Sequence, residues 1–142
     1  EGIKSHTATR LNIDNIPREL DLINMKTIAE KVFEPLRKFV GGPIAINSFY
    51  RSPKLNSAIG GSTSSQHCIG CALDIDDNYG HKTNKEMYNY VKNNLDFDQV
   101  IWEFGDDKNP DWVHISYVSE DANRRRCLQA YKENGKTKYK II

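Results

Sequence analysis

The chain is predicted to adopt an α+β fold, with helices packed on a small, mainly antiparallel sheet. Three observations predict it. A long run between residues 19 and 39 repeats its apolar side chains at helical spacing, and a second helical face lies between 84 and 94. Several short alternating apolar runs are punctuated by Gly, Pro and Asn clusters, as strands and turns would be. No internal repeat or linker divides the 142 residues, so one domain spanning 1–142 is expected.

The opening, from Thr7 to Pro17, reads as an irregular, tethered segment. Leu22, Met25, Ile28, Ala29, Val32, Leu36 and Phe39 then make one apolar face of a helix, with Pro35 a candidate kink and Gly41-Gly42-Pro43 its end. Residues 44–49 read as a strand that leaves through Tyr50-Arg51-Ser52-Pro53. Ser52 and Pro53 are suited to start a short helix towards Ile59. A polar loop, Gly60-Gly61-Ser62-Thr63-Ser64-Ser65, leads to His67, and residues 71–76 alternate as a half-buried strand does. Met87, Tyr88, Val91 and Leu95 share a helical face. Residues 99–104 and 112–117 read as two strands joined through Asp106 to Pro110, a hairpin or close neighbour pair. A last strand is expected at 138–142.

Composition excludes several classes. Twenty basic against 19 acidic side chains leave a net charge of +1, which gives no field for nucleic acid. Arg124-Arg125-Arg126 is the only dense basic run, read as a solvated face or else a phosphate or cell-wall contact. No apolar window reaches the length of a membrane span. Residues 1–6 lack a secretory pattern, so either no signal peptide exists or it was removed before numbering begins. The three cysteines are odd in number and two are close together, which argues against a disulfide framework.

The chemistry concentrates in Ser65-Gln66-His67-Cys68-Ile69-Gly70-Cys71-Ala72-Leu73-Asp74 and in Asp111-Trp112-Val113-His114. His67, Asp74 and His114 could fill three corners of a tetrahedral zinc site and leave the fourth to water, the inventory of a metal-assisted hydrolase. Seven extended residues would hold His67 and Asp74 too far apart for one ion. The chain must therefore turn at Gly70, which tolerates backbone angles closed to other residues. Asp111 is placed to serve as general base, with Glu103 as the competitor for that role or as the group that orients a ligand imidazole. Arg51 is placed to clamp a substrate carboxylate or a developing oxyanion. Ser48, Ser65, Gln66 and Ser116 are candidate substrate hydrogen-bond groups.

Other readings of the same residues stand beside this one. Each histidine or aspartate taken alone is an ordinary core, surface or capping residue. Cys68 and Cys71 form a Cys-x-x-Cys, able to bind zinc structurally or serve redox chemistry, yet Cys127 is the only cysteine left to complete a structural site. A zinc base deaminase would need His-x-Glu with Pro-Cys-x-x-Cys, and neither is present. The two thiols otherwise pack as small apolar groups.

These motifs closely resemble the M15 family of zinc D-Ala-D-Ala peptidases, within the hedgehog/DD-peptidase fold. The pattern Ser-x-His-x-x-Gly-x-Ala-x-Asp is met by Ser65, His67, Gly70, Ala72 and Asp74, and acidic-x-x-His by Asp111 and His114. Tyr50, Arg51, Ser52, Pro53 and Asn56 match the preceding element. Ser5-x-Thr7-Ala8 and Asn12-Ile13-Asp14-Asn15-x-Pro17 look like the small phage- and prophage-associated branch. The resemblance covers about residues 5 to 118. It implies Zn2+ held by His67, Asp74 and His114, an acidic general base and Arg51 as a substrate or transition-state contact. It further implies an endolysin-like hydrolase acting on peptidoglycan stem peptides, as D-Ala-D-Ala carboxypeptidase or endopeptidase. The chain departs from the pattern in having Asp111 where some members have Glu, and Cys68 and Cys71 as uncommon fillers. A monomer is expected. The rival expectation is a binding module of the same fold that turns nothing over.

Overall fold

The computed structural model describes residues 4–142. Its strands are β1 Ala45–Ser48, β2 Ala72–Asp76, β3 Gln99–Glu103, β4 Trp112–Ser116, β5 Arg126–Glu133 and β6 Lys136–Ile141. They form one sheet in the order β1-β2-β4-β3-β5-β6. All neighbours pair antiparallel except β3 with β5, which run parallel. The helices are α1 His6–Leu11, α2 Glu19–Ile28, α3 Glu34–Val40, α4 Pro53–Ala58 and α5 Asn84–Asn94. This is the mixed α+β architecture expected from the sequence.

Period-two alternation gives the sheet two unlike faces. Leu73 and Ile75, Val100 and Trp102, and Val113 and Ile115 point to a core shared with Ile28, Val32, Leu36, Met87, Tyr88 and Val91. Burying each of the larger of these contributes roughly 1.5–3 kcal/mol. The opposite face carries Asp74, His114 and Glu103, so the packed core leaves the polar set on the open side. Pairing aligns them: Asp74 opposes His114, His114 opposes Ile101, and Glu103 opposes Trp112.

The long helical run expected from 19 to 39 is present, interrupted by a π-helical turn at Ala29–Phe33. Pro35 supplies the reason. Its ring cannot sit above a regular α-helical carbonyl, and the wider turn just before it removes that conflict. One expected core residue, Leu22, is instead 50% exposed. The inward slot is taken by Asp21, whose carboxylate accepts from the Arg18 N–H and forms a two-pronged pair with the Arg18 guanidinium.

Two further differences stand out. The opening segment contains α1, capped by the Ser5 hydroxyl accepting from the Ala8 N–H. With six residues and one buried side chain, it leaves almost no periodic trace. The C-terminal strand is half of a hairpin, with β5 beginning at Arg126 inside the run read as a solvated face or a phosphate or cell-wall contact. Asn134 and Gly135 turn it, both at positive φ. Asn-Gly is the dipeptide that two-residue hairpin turns favour, and it is the signal that locates both strands.

Candidate metal centre and cleft

His67 reaches the open face on a short 3-10 turn, Gln66–Ile69, entered through Ser65 and left through Gly70. The Ser65 hydroxyl accepts from the His67 N–H. Asn24 of α2 donates to the Ile69 carbonyl at 2.8 Å, pinning the turn from below. Gly70 has φ +76°, and a Cβ there would lie 2.5 Å from the Asp21 carbonyl oxygen. Both the handedness and the closeness of α2 require glycine at this position. The reversal lets β2 run back past His67, so the seven-residue separation closes to contact.

Three ligand atoms, one each from His67, Asp74 and His114, lie within 4.8 Å of one another. Asp74 sits between the rings, with Oδ2 3.3 Å from His67 Nε2 and Oδ1 3.0 Å from His114 Nδ1. His67 is 1% exposed, and its Nδ1–H donates to the Phe49 carbonyl at 2.7 Å. That bond fixes the tautomer and turns the lone pair of Nε2 towards the cluster. Nε2 is itself buried and lacks an aligned hydrogen-bond partner despite the nearby carboxylate. A buried nitrogen left in that condition is costly unless a cation takes it, and the donor set suits a divalent metal.

The charge states agree with this use. Burial pushes the His67 pKa down against the pull of Asp74, which keeps its imidazole neutral. Burial alone would push the Asp74 carboxyl up. The hydrogen bond donated by His114 and the closeness of the His67 ring outweigh that and hold it well below the usual range, ionised.

The cluster lies in a cleft of about 1010 Å³ lined among others by Arg51, Ser65, Gln66, Glu103, Trp112 and Tyr139. That volume admits a peptide of a few residues. Glu103 is 7% exposed, and its carboxyl is raised to about 7 by burial and by the charge of Asp74, with His114 opposing. Asp111 is placed differently. It is exposed and outside the cleft lining, its N–H donating to the Glu103 carbonyl and its own carbonyl accepting from Asn84. Strand parity explains the difference. Asp111 is an odd number of residues from His114, on the parity of the core-facing positions of β4, whereas Glu103 shares a face with His114 through the β3–β4 pairing.

Arg51 is held at both ends of its peptide. Asn15 accepts from the Ser52 N–H at 2.7 Å and donates to the Tyr50 carbonyl at 3.1 Å, while the Arg51 N–H donates to the His67 carbonyl. Its Nη2 lies 3.4 Å from Ser65 Oγ, and its Nε is buried without a partner. Gln66 lines the cleft, but its amide donates to Asp98 at 2.8 Å. Asp98 is nearly fully buried and also receives two hydrogen bonds from the Arg124 guanidinium, which hold its carboxyl down to about 2. Ser116 is fully buried and accepts from the Gln99 N–H; neither it nor Ser48 lines the cleft. Cys68 and Cys71 stay outside the metal cluster, and burial raises the Cys71 thiol to about 11, as a packed thiol would have. The lining residues that the sequence left unassigned include Leu128, Thr137 and Tyr139. Their position follows from the Asn134-Gly135 hairpin.

An α+β sheet carrying a His/Asp/His cluster, with His67 buried and the other two half-buried, and a carboxyl in an open cleft has the build of a metallohydrolase. A family model described as Peptidase M15 matches residues 3–116, and the chain belongs to that family of peptidases. No curated protein matches the chain in a comparison over its sequence. No helix among the described residues is long and apolar enough to cross a membrane.

Proposed function

We propose that this chain is a zinc peptidase that hydrolyses peptide bonds in bacterial peptidoglycan stem peptides. The observation that carries the proposal is the partnerless buried Nε2 of His67, converging with Asp74 and His114 beside the Glu103 carboxyl. His67 Nε2, the Asp74 carboxylate and His114 Nδ1 would hold the metal. When bound, zinc supplies Lewis acidity and brings the pKa of a water towards ~7.

Glu103, rather than Asp111, serves as proton carrier. A carboxyl with a pKa near neutrality can take a proton from the attacking water and return it to the leaving amine. Arg51 donates to the carbonyl oxygen as negative charge develops there, its geometry fixed by Asn15 and by the His67 carbonyl. Ser65 steadies both His67 and Arg51. Gln66, held by Asp98, positions the turn that carries His67, and Ser48 and Ser116 shape the sheet beneath.

The test measures bound metal together with cleavage of purified peptidoglycan and of a synthetic stem pentapeptide, before and after chelation. About one zinc per chain is expected on three-ligand sites of this kind, with hydrolysis lost on chelation and restored by zinc. The released fragment distinguishes trimming of a terminal D-Ala from an internal cut. Bound zinc without hydrolysis of either substrate would overturn the peptidase in favour of a binding module.

A further inference from the structure

The C-terminal hairpin lies beyond the residues matched by the family model, yet it closes one side of the cleft. Arg51 follows β1 at one edge of the sheet, and β6 forms the other edge. Along the open face Glu103 opposes Ala130, and Ala130 opposes Tyr139. Neighbouring strands are about 4.8 Å apart, so the Tyr139 and Glu103 backbones stand roughly 10 Å from each other. Only the methyl of Ala130 lies between them in this row. A larger residue would block the space, whereas alanine lets a phenol extend over the strand towards the acidic end of the cleft.

We propose that Tyr139 is a substrate-contacting residue whose phenol donates a hydrogen bond to a carbonyl oxygen of the bound peptide, on the side away from Arg51. This rests on the peptidase reading above. Three properties of the residue suit the role. It is 54% exposed, so its ring is open to the cleft rather than committed to the core. Its hydroxyl makes no hydrogen bond to another described residue. Partial burial, Glu103 and Asp74 all raise its pKa, so it keeps the proton that it would donate. Tyr139, Glu103, Asp74 and His114 all line the one cleft.

The experiment compares kcat and KM of the zinc-loaded wild type, Tyr139→Phe and Tyr139→Leu on one synthetic stem peptide, with melting temperature and bound zinc measured for each. Lys138→Ala is the control, because Lys138 alternates to the other face of β6 and pairs with Glu133. Loss of one hydrogen bond to substrate should lower kcat/KM about 5- to 10-fold in Tyr139→Phe. Tyr139→Leu should lose at least as much, Lys138→Ala should match wild type, and zinc content and melting should stay constant throughout. Wild-type kinetics in Tyr139→Phe would overturn the proposal, as would an equal loss in Lys138→Ala or a loss of zinc or stability in both Tyr139 variants. If wild type itself hydrolyses no stem peptide, the peptidase reading fails first and takes this inference with it.

Discussion

Replacing Glu103 by Gln separates the two candidate carboxylates and tests the electrostatics of the cleft at once. In the chelated protein Glu103 is nearly fully buried and its pKa rises from 4.5 to about 7. At ~1.4 kcal/mol for each factor of ten in the proton equilibrium, keeping this group ionised inside the fold costs about 3 kcal/mol. The sign follows from linkage. Between pH 4.5 and about 7 the folded chain binds more protons at this position than the unfolded chain does, so its contribution to stability falls as pH rises. Below that window the cost is absent, and above it the cost is complete. Gln does not titrate, so the stability of Glu103→Gln relative to wild type should rise by about 3 kcal/mol between pH 4.5 and pH 8, whatever its constant offset. For a chain of this size that corresponds to roughly 6–12 °C in relative melting temperature. Thermal melts of both chelated proteins across that range measure it. In the zinc-loaded enzyme the same substitution should lower kcat by about 10²- to 10⁴-fold, the span of general acid–base catalysis. Asp111→Asn should stay within about twofold of wild type, as exposed substitutions away from a site do. A flat stability difference across pH would refute the burial argument. Loss of activity in Asp111→Asn but not in Glu103→Gln would refute the assignment.

Three further outcomes are expected. Zinc at a hundredfold excess over its Kd should stabilise wild type by about 2.7 kcal/mol; His67→Ala and Asp74→Asn should lose that increment in calorimetry, and retention of it would place the metal elsewhere. Asp98→Asn should destabilise the fold by roughly 1.5–3 kcal/mol, because it weakens the charged hydrogen bonds that hold Arg124 and Gln66. Since Asp98 is depressed to about 2, its contribution should fade as pH drops from about 4 towards 2, and denaturant titration at pH 7 and pH 3 checks both statements. Gly70→Ala should cost at least 1–2 kcal/mol from left-handed backbone strain alone, before its Cβ meets the Asp21 carbonyl. An unchanged melting temperature in that variant would contradict the packing of α2 on the His67 turn.

The sequence alone determined the local grammar of the chain. Helical periodicity located the run from residue 19 and placed α5 at its observed limits, 84 and 94, because each buries most of one face at helical spacing, although Asp21 takes the inward slot expected of Leu22. Alternation located β2, β3 and β4 for the same reason. Spacing and residue type singled out His67, Asp74 and His114, and the impossibility of spanning one ion with extended chain required the turn at Gly70. What needed the tertiary structure was which face each acidic side chain occupies. A carboxylate three residues before His114 looks well placed in one dimension, yet strand parity keeps Asp111 out of the cleft, while pairing between β3 and β4 carries Glu103 into it. The same holds for the far side of the cleft. Tyr139 is about 25 residues from any candidate metal ligand, and only the turn at Asn134-Gly135 and the parallel pairing of β5 with β3 bring it there. Periodicity records which side chains seek the core. It does not record which strands become neighbours, and the cleft is built from neighbours.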